Sequence, residues 1–164
     1  MTDAKSEERR AKGGVMSDPA LGRWMAIDLG ERRVGLAISD PTGTIASPAG
    51  FLARRAGKRP PITALLARAE ELGARGFVVG LPLDADGRDT ERCAEARRLA
   101  LELERKTGLA VRLVDERFST AAALRAVKEM GGTTRGRKGE VDAMAAALLL
   151  QQALRIADRA GDAE

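Results

Sequence analysis

From Trp24 the chain breaks into short apolar runs, Trp24 to Leu29, Arg33 to Ser39 and Thr44 to Leu52, separated by Gly30-Glu31-Arg32 and by Asp40-Pro41-Thr42-Gly43. Runs this short, joined by turns this tight, predict three strands paired antiparallel as a meander. The period then changes. Ile62, Leu65, Leu66, Ala69 and Leu72 recur at helical spacing, Gly73 or Gly76 punctuates, and Phe77-Val78-Val79-Gly80 reads as a buried strand. The helix-strand order repeats: Asp89-Thr90 caps a helix carrying Cys93, Ala96, Leu99, Ala100 and Leu103, Gly108 stops it, and Val111 to Val114 is apolar except at Arg112. Ser119 opens a short helix through Leu124 and Val127, Gly131 to Gly139 interrupts the pattern, and an Ala/Leu-rich helix runs from about Glu140 to Ala160. The sum is an α/β fold: a mixed five-stranded sheet, made of an antiparallel three-strand meander plus two crossover strands, flanked by helices.

This pattern occupies residues 23–160 as one domain, in keeping with a length of 164 residues. Residues 1–22 differ. Four basic and four acidic charges cancel there and large apolar side chains are nearly absent, which predicts a disordered tail. Met16 is an alternative translation start to Met1, since Lys12-Gly13-Gly14-Val15 is what a purine-rich ribosome-binding sequence encodes when translated.

Composition narrows the chemistry. There is no His, which removes an imidazole base, a Ser-His-Asp or Cys-His nucleophile and a His-ligated metal. Cys93 is the single cysteine, so an intrachain disulfide and a multi-Cys zinc site are excluded and a reducing compartment is expected. A net charge of +4, from 28 basic and 24 acidic residues, tilts toward phosphate-bearing partners. No run of about 18 apolar residues and no signal-peptide order are found, so a soluble cytoplasmic protein without a membrane partner is expected.

Oxygen chemistry remains, and three acids sit in apolar surroundings: Asp28 within Met25-Ala26-Ile27-Asp28-Leu29-Gly30, Glu116 just after Val111 to Val114, and Asp142 opening the last helix. Strand alternation sets Ala26 and Asp28 on one side and Met25, Ile27 and Leu29 on the other. Taken singly, each acid has an ordinary explanation: an Asx-type cap of the Gly30 turn, a solvated strand end beside Arg117, a favourable helix N-terminus. Taken together, on the first strand, at the end of the last crossover strand and on the final helix, they can meet at one end of the sheet. Three converging carboxylates suit Mg²⁺, and two such ions about 4 Å apart activate water and stabilise the leaving oxygen in phosphodiester cleavage. Ala143, Ala145 and Ala146 are small enough to let that helix lie close to the sheet.

Four blocks then carry a family resemblance: AIDLGERRVGLAISDPTGTIASP (Ala26 to Pro48), FVVGLPLDADG (Phe77 to Gly87), VDERFSTAAA (Val114 to Ala123) and KGEVDAMAAALLLQQAL (Lys138 to Leu154). Their content and order resemble the YqgF family, pre-16S rRNA nucleases also described as Holliday-junction-resolvase-like, across about Trp24 to Ala157. The resemblance implies an RNase H-like fold and a metal-dependent nuclease acting in 5′-end processing of pre-16S rRNA during ribosome biogenesis. It carries catalytic and metal-binding acids onto Asp28, Glu116 and Asp142, with Asp115 as a support or alternative ligand and Mg²⁺ or Mn²⁺ as cofactor. Asp84-Ala85 and Phe118-Ser119 depart from the family's usual Asn-Met and Leu-Thr, away from those acids.

Basic residues cluster in two loops. Arg54, Arg55, Lys58 and Arg59 share a Gly/Pro-bounded loop, and Arg135, Arg137 and Lys138 precede the Asp142 helix. Solubility alone explains such loops. Their position beside the acids suits contact with a nucleic-acid backbone, with Arg117 next to Glu116 as a further phosphate contact. With only one Trp and three Phe, base stacking is poorly supplied. The partners expected are pre-16S rRNA, within a pre-ribosome, or branched DNA, bound by a monomer or a homodimer. Three alternatives stay open: a Holliday-junction resolvase, a non-catalytic nucleic-acid-binding module, and phosphotransfer of the actin or sugar-kinase type, which one domain's length disfavours.

Overall fold

The computed structural model describes residues 22–55, 57–83, 86–117, 124 and 138–162, with side chains described as far as residue 156. Strands β1 (Arg23–Leu29), β2 (Arg33–Ser39) and β3 (Ala46–Ala53) are followed by α1 (Ile62–Leu72), β4 (Ala74–Leu81), α2 (Glu91–Thr107), β5 (Ala110–Asp115) and α3 (Lys138–Asp162). The sheet order is β3-β2-β1-β4-β5. β2 runs antiparallel to β1 and β3, whereas β4 is parallel to β1 and β5 to β4. The meander and the two crossovers are therefore as expected. The tail, the Met16 start, the Ser119 to Val127 helix apart from Leu124, and loop residues 131–137 with Arg135 and Arg137 lie outside the described residues.

Two apolar layers follow from strand alternation. Met25, Ile27, Val34, Leu36, Phe77 and Val79 point toward α1 and α2, where they pack on Leu65, Ala69, Cys93, Ala96, Leu99 and Leu103. Trp24, Ala26, Ala37 and Val78 face α3 and meet Ala145, Ala146, Leu149, Leu150 and Ala153. The alanine-rich stripe lets α3 settle directly on the sheet, with most of its contacts on β2 and β3. Among the described residues no helix is long and apolar enough to cross a membrane.

Boundaries shift where side chains compete with the ladder. β3 starts at Ala46 rather than Thr44, because Asp40 Oδ1 accepts from the backbone N–H groups of Thr44 and Ile45, each at 2.8 Å, and holds them in the turn. Gly73 ends α1 in a left-handed conformation, φ 72°, whereas Gly76 lies inside β4 beneath the Trp24 ring, where an added Cβ would fall 2.7 Å from the indole. β4 consequently begins at Ala74, three residues earlier than its apolar run.

Candidate active site

Asp28, Glu116 and Asp142 are buried, at 3%, 4% and 5% exposure, although carboxylates rarely are unless something holds them. One rung of the sheet organises them. Phe51 on β3 pairs with Gly35 on β2, which pairs with Asp28 on β1. β1 pairs with β4 through Ile27 and Val79, and the same parallel register carried one residue further sets Asp28 level with Gly80. Asp28 is thus flanked by two glycines on the sheet face that α3 covers.

Each glycine leaves a gap that another acid's residue fills. A Cβ on Gly35 would lie 2.1 Å from the carbonyl oxygen of Asp142, so the first turns of α3 rest on the bare backbone of β2. A Cβ on Gly80 would lie 2.7 Å from Glu116 Oε2 and 3.0 Å from Leu149 Cδ2. Gly139 completes the seat: an added Cβ would fall 2.2 Å from the Phe51 ring. The three acids are therefore brought to one end and one face of the sheet, though they are far apart in the chain.

Their electrostatics differ. Arg33 Nε donates to Asp142 Oδ2 at 2.9 Å, with the two side chains 24% and 8% exposed. Burial, then the charge of neighbouring Asp115, push the Glu116 carboxyl from its ordinary 4.5 up to about 7 against the weaker pull of Arg92. Among the described residues no group of three or more Cys, Asp or Glu side chains stands arranged to hold a metal ion. The carboxylate of Asp142 is turned to Arg33 instead.

Asp115 is not brought to this cluster. Val114 packs with the α3 layer, so Asp115 projects from the opposite side of β5. There its carboxylate accepts from the backbone N–H and the guanidinium of Arg117, the latter at 2.8 Å to Nη2, which holds it below the usual carboxylate range. Arg117 in turn lies under Gly87, whose missing Cβ leaves space for the guanidinium.

The basic residues divide as well. Arg54, expected as a phosphate contact, is an internal brace: its side chain is 6% exposed, binds Glu95 in two-pronged fashion, and donates to the carbonyls of Gly30 and Lys58. Arg55, Lys58 and Arg59 are exposed on the same loop, and Lys58 N–H donates to Arg55 O at 3.1 Å. Lys138 is exposed at the start of α3.

Residues 22–156 match the RuvX family, described as "Holliday junction resolvase". The chain belongs to this family. Relatives of this RuvX member include a protein of Clavibacter michiganensis subsp. michiganensis, 40% identical over 141 residues, covering 86% of this chain and 88% of the relative. Another, from Anaplasma marginale, is 41% identical over 145 residues, covering 87% and 92%. Both carry the name "Putative pre-16S rRNA nuclease". Among solved structures, T. thermophilus RuvC in complex with Holliday junction substrate superposes with a TM-score of 0.50 at 15% identity, covering 82% of this chain and 94% of that one. That likeness establishes the RNase H-like fold. The family description and the relatives' names are all those of nucleases.

Arg33, which the sequence places just beyond Asp28 with ion pairing as its ordinary role, belongs to the acid end through Asp142. Arg33 sits two residues before Gly35 on β2, and alternation alone places it on the α3 face, within reach of the last helix. Its pairing with Asp142 depends on a contact across 109 residues, for which the local pattern carries no signal.

Proposed function

We propose that this chain is a metal-dependent nuclease that hydrolyses phosphodiester bonds at the 5′ end of pre-16S rRNA in the cytoplasm, in the setting of the pre-ribosome and through one domain spanning residues 23–160. The observation that carries this reading is the glycine-flanked rung, with Asp142 over Gly35 and Glu116 over Gly80 on either side of Asp28. Three buried hard oxygen donors at one end of the sheet, in a chain without His, fit Mg²⁺ or Mn²⁺ by donor type. Asp28, Glu116 and Asp142 would hold the cation, which supplies Lewis acidity at the scissile phosphate when bound.

The chain's own groups divide the remaining work. Burial and the charge of Asp115 let Glu116 keep its proton up to about pH 7, and positive charge arriving beside it draws that proton off. Arg33 holds Asp142 in place by a charge-assisted hydrogen bond until that carboxylate is needed elsewhere. Exposed Arg55, Lys58, Arg59 and Lys138 bind phosphates, and Arg117 is kept at the end of β5 by Asp115.

The test is cleavage of precursor rRNA and of four-way junction DNA, side by side, by wild type and Asp28→Asn with and without Mg²⁺. Wild type is expected to trim the precursor only with Mg²⁺, and Asp28→Asn to bind it without cutting. Cleavage of the junction alone moves the reading to a resolvase, which is how the family is described. An Asp28→Asn variant as active as wild type overturns it.

A further inference from the structure

A cleft of about 480 Å³ opens at Leu29 and Gly30, directly after Asp28 in the chain, between Pro82, the first turns of α2 and the β3 to α1 loop. A second depression of about 600 Å³ shares Arg59 and Arg98 with it and continues along α2 to Leu101 and Arg105. The two form one path from the acid end of the sheet over the outer face of α2.

Ion pairing sorts the charges on this path. Arg54 is taken by Glu95, Arg92 by Glu31 at 3.0 Å, and Lys106 by Glu102 at 3.4 Å. Among the described residues Lys58, Arg59, Arg98 and Arg105 have no such partner, and all four are exposed. Among the described residues Glu91 and Glu104 are the acids of the walls left without a cation, so four positive charges stand there against two negative. Arg98 and Arg105 are two helical turns apart on one face, about 10 Å. At about 3.4 Å of axis per phosphate in one strand of a duplex, that interval spans about three phosphates. No described aromatic side chain lines either cleft, so bases have nothing to stack on.

We propose that Lys58, Arg59, Arg98 and Arg105 form a phosphate-binding track that holds the nucleic-acid strand leaving the acid end, gripping its backbone across α2 without reading its bases. The nature of the polyanion rests on the nuclease reading above; the track itself rests on the charge pattern.

Fluorescence anisotropy tests it, with a labelled RNA hairpin carrying a single-stranded 5′ arm and, in parallel, a labelled DNA four-way junction, each titrated over a KCl series. Arg98→Glu/Arg105→Glu is compared with Arg23→Glu/Arg75→Glu, an equal change of charge at the opposite, exposed end of β1 and β4. Arg98→Ala/Arg105→Ala accompanies them, and thermal melting checks each fold. The track predicts that the α2 variants raise Kd at least about tenfold on one or both probes, and that the alanine pair lowers the salt slope by about 1.5. The Arg23/Arg75 pair should change Kd less than about threefold. Equal loss in both charge-reversed pairs, loss in neither, or a wild type that binds neither probe overturns the track. Asp28→Asn separates the two ideas: cleavage retained by that variant defeats the nuclease reading and leaves the binding result to stand alone.

Discussion

Arg33 and Asp142 lie 109 residues apart in the chain, and Arg33 Nε donates to Asp142 Oδ2 at 2.9 Å over the face of the sheet that α3 covers. Asp142 is nearly desolvated and Arg33 only partly so, which makes the carboxylate the group that suffers when the pair is broken. Arg33→Gln should destabilise the metal-free protein by about 2 kcal/mol. Asp142→Asn in the same background should recover much of that loss. Urea unfolding of the two singles and the double supplies the cycle, and strictly additive effects would show that the pair is not coupled.

Gly35 has no room for a methyl group, since the nearest atoms belong to the backbone of α3 and not to a side chain that can swing aside. Gly35→Ala should lower stability by about 1–3 kcal/mol and displace the N-terminal turns of α3. Nuclease activity should fall further than the stability loss explains. Gly80→Ala meets the flexible end of Glu116 and should cost less stability while still moving that carboxylate. Hydrogen exchange of α3 amides reads the displacement; unchanged protection in Gly35→Ala would refute it.

How far the sequence disclosed this arrangement depended on how local each cause is. The strands were readable because every run from Trp24 to Ser39 alternates or is buried on both sides, and the helix stops because Gly73 and Gly108 adopt left-handed conformations. Asp28 stood out by being polar inside such a run. The roles of Gly35 and Gly80 did not, because a glycine in a strand looks the same whether it faces solvent or another backbone. The bracing of Arg54 was hidden for a related reason: its loop neighbours are solvated, and only Glu95, on α2, turns it inward.

Glu116 should make stability depend on pH in an unusual sense. Above about 4.5 the unfolded chain releases a proton that the folded chain keeps up to about 7, so stability falls across that window and levels off beyond it. Glu116→Gln removes the effect. Without metal, its gain over wild type should reach at most about 3 kcal/mol near pH 8 and vanish below about pH 4. Added Mg²⁺ should narrow the gap in wild type's favour. Denaturant melts at the two pH extremes suffice, and a gap independent of pH would show that Glu116 titrates normally.

Arg54→Ala should behave as a core defect. Loss of its pairing with Glu95 and of its bonds to the carbonyls of Gly30 and Lys58 should cost about 3 kcal/mol. The salt dependence of RNA binding, measured below the melting temperature, should be unchanged, whereas Lys58→Ala should reduce its slope by about 0.7–0.9. A change of slope in Arg54→Ala would return that residue to the binding surface.

Helix α3 is the last described element along the chain, yet it covers Trp24, Ala26 and Val78 near the middle of the sheet and delivers the third acid. During synthesis, one layer of the domain therefore stays open to water until α3 clears the ribosome. A chain cut short before Lys138 would lack that cover and Asp142 together, so incomplete products expose an apolar surface that quality control can seize while missing a full set of carboxylates.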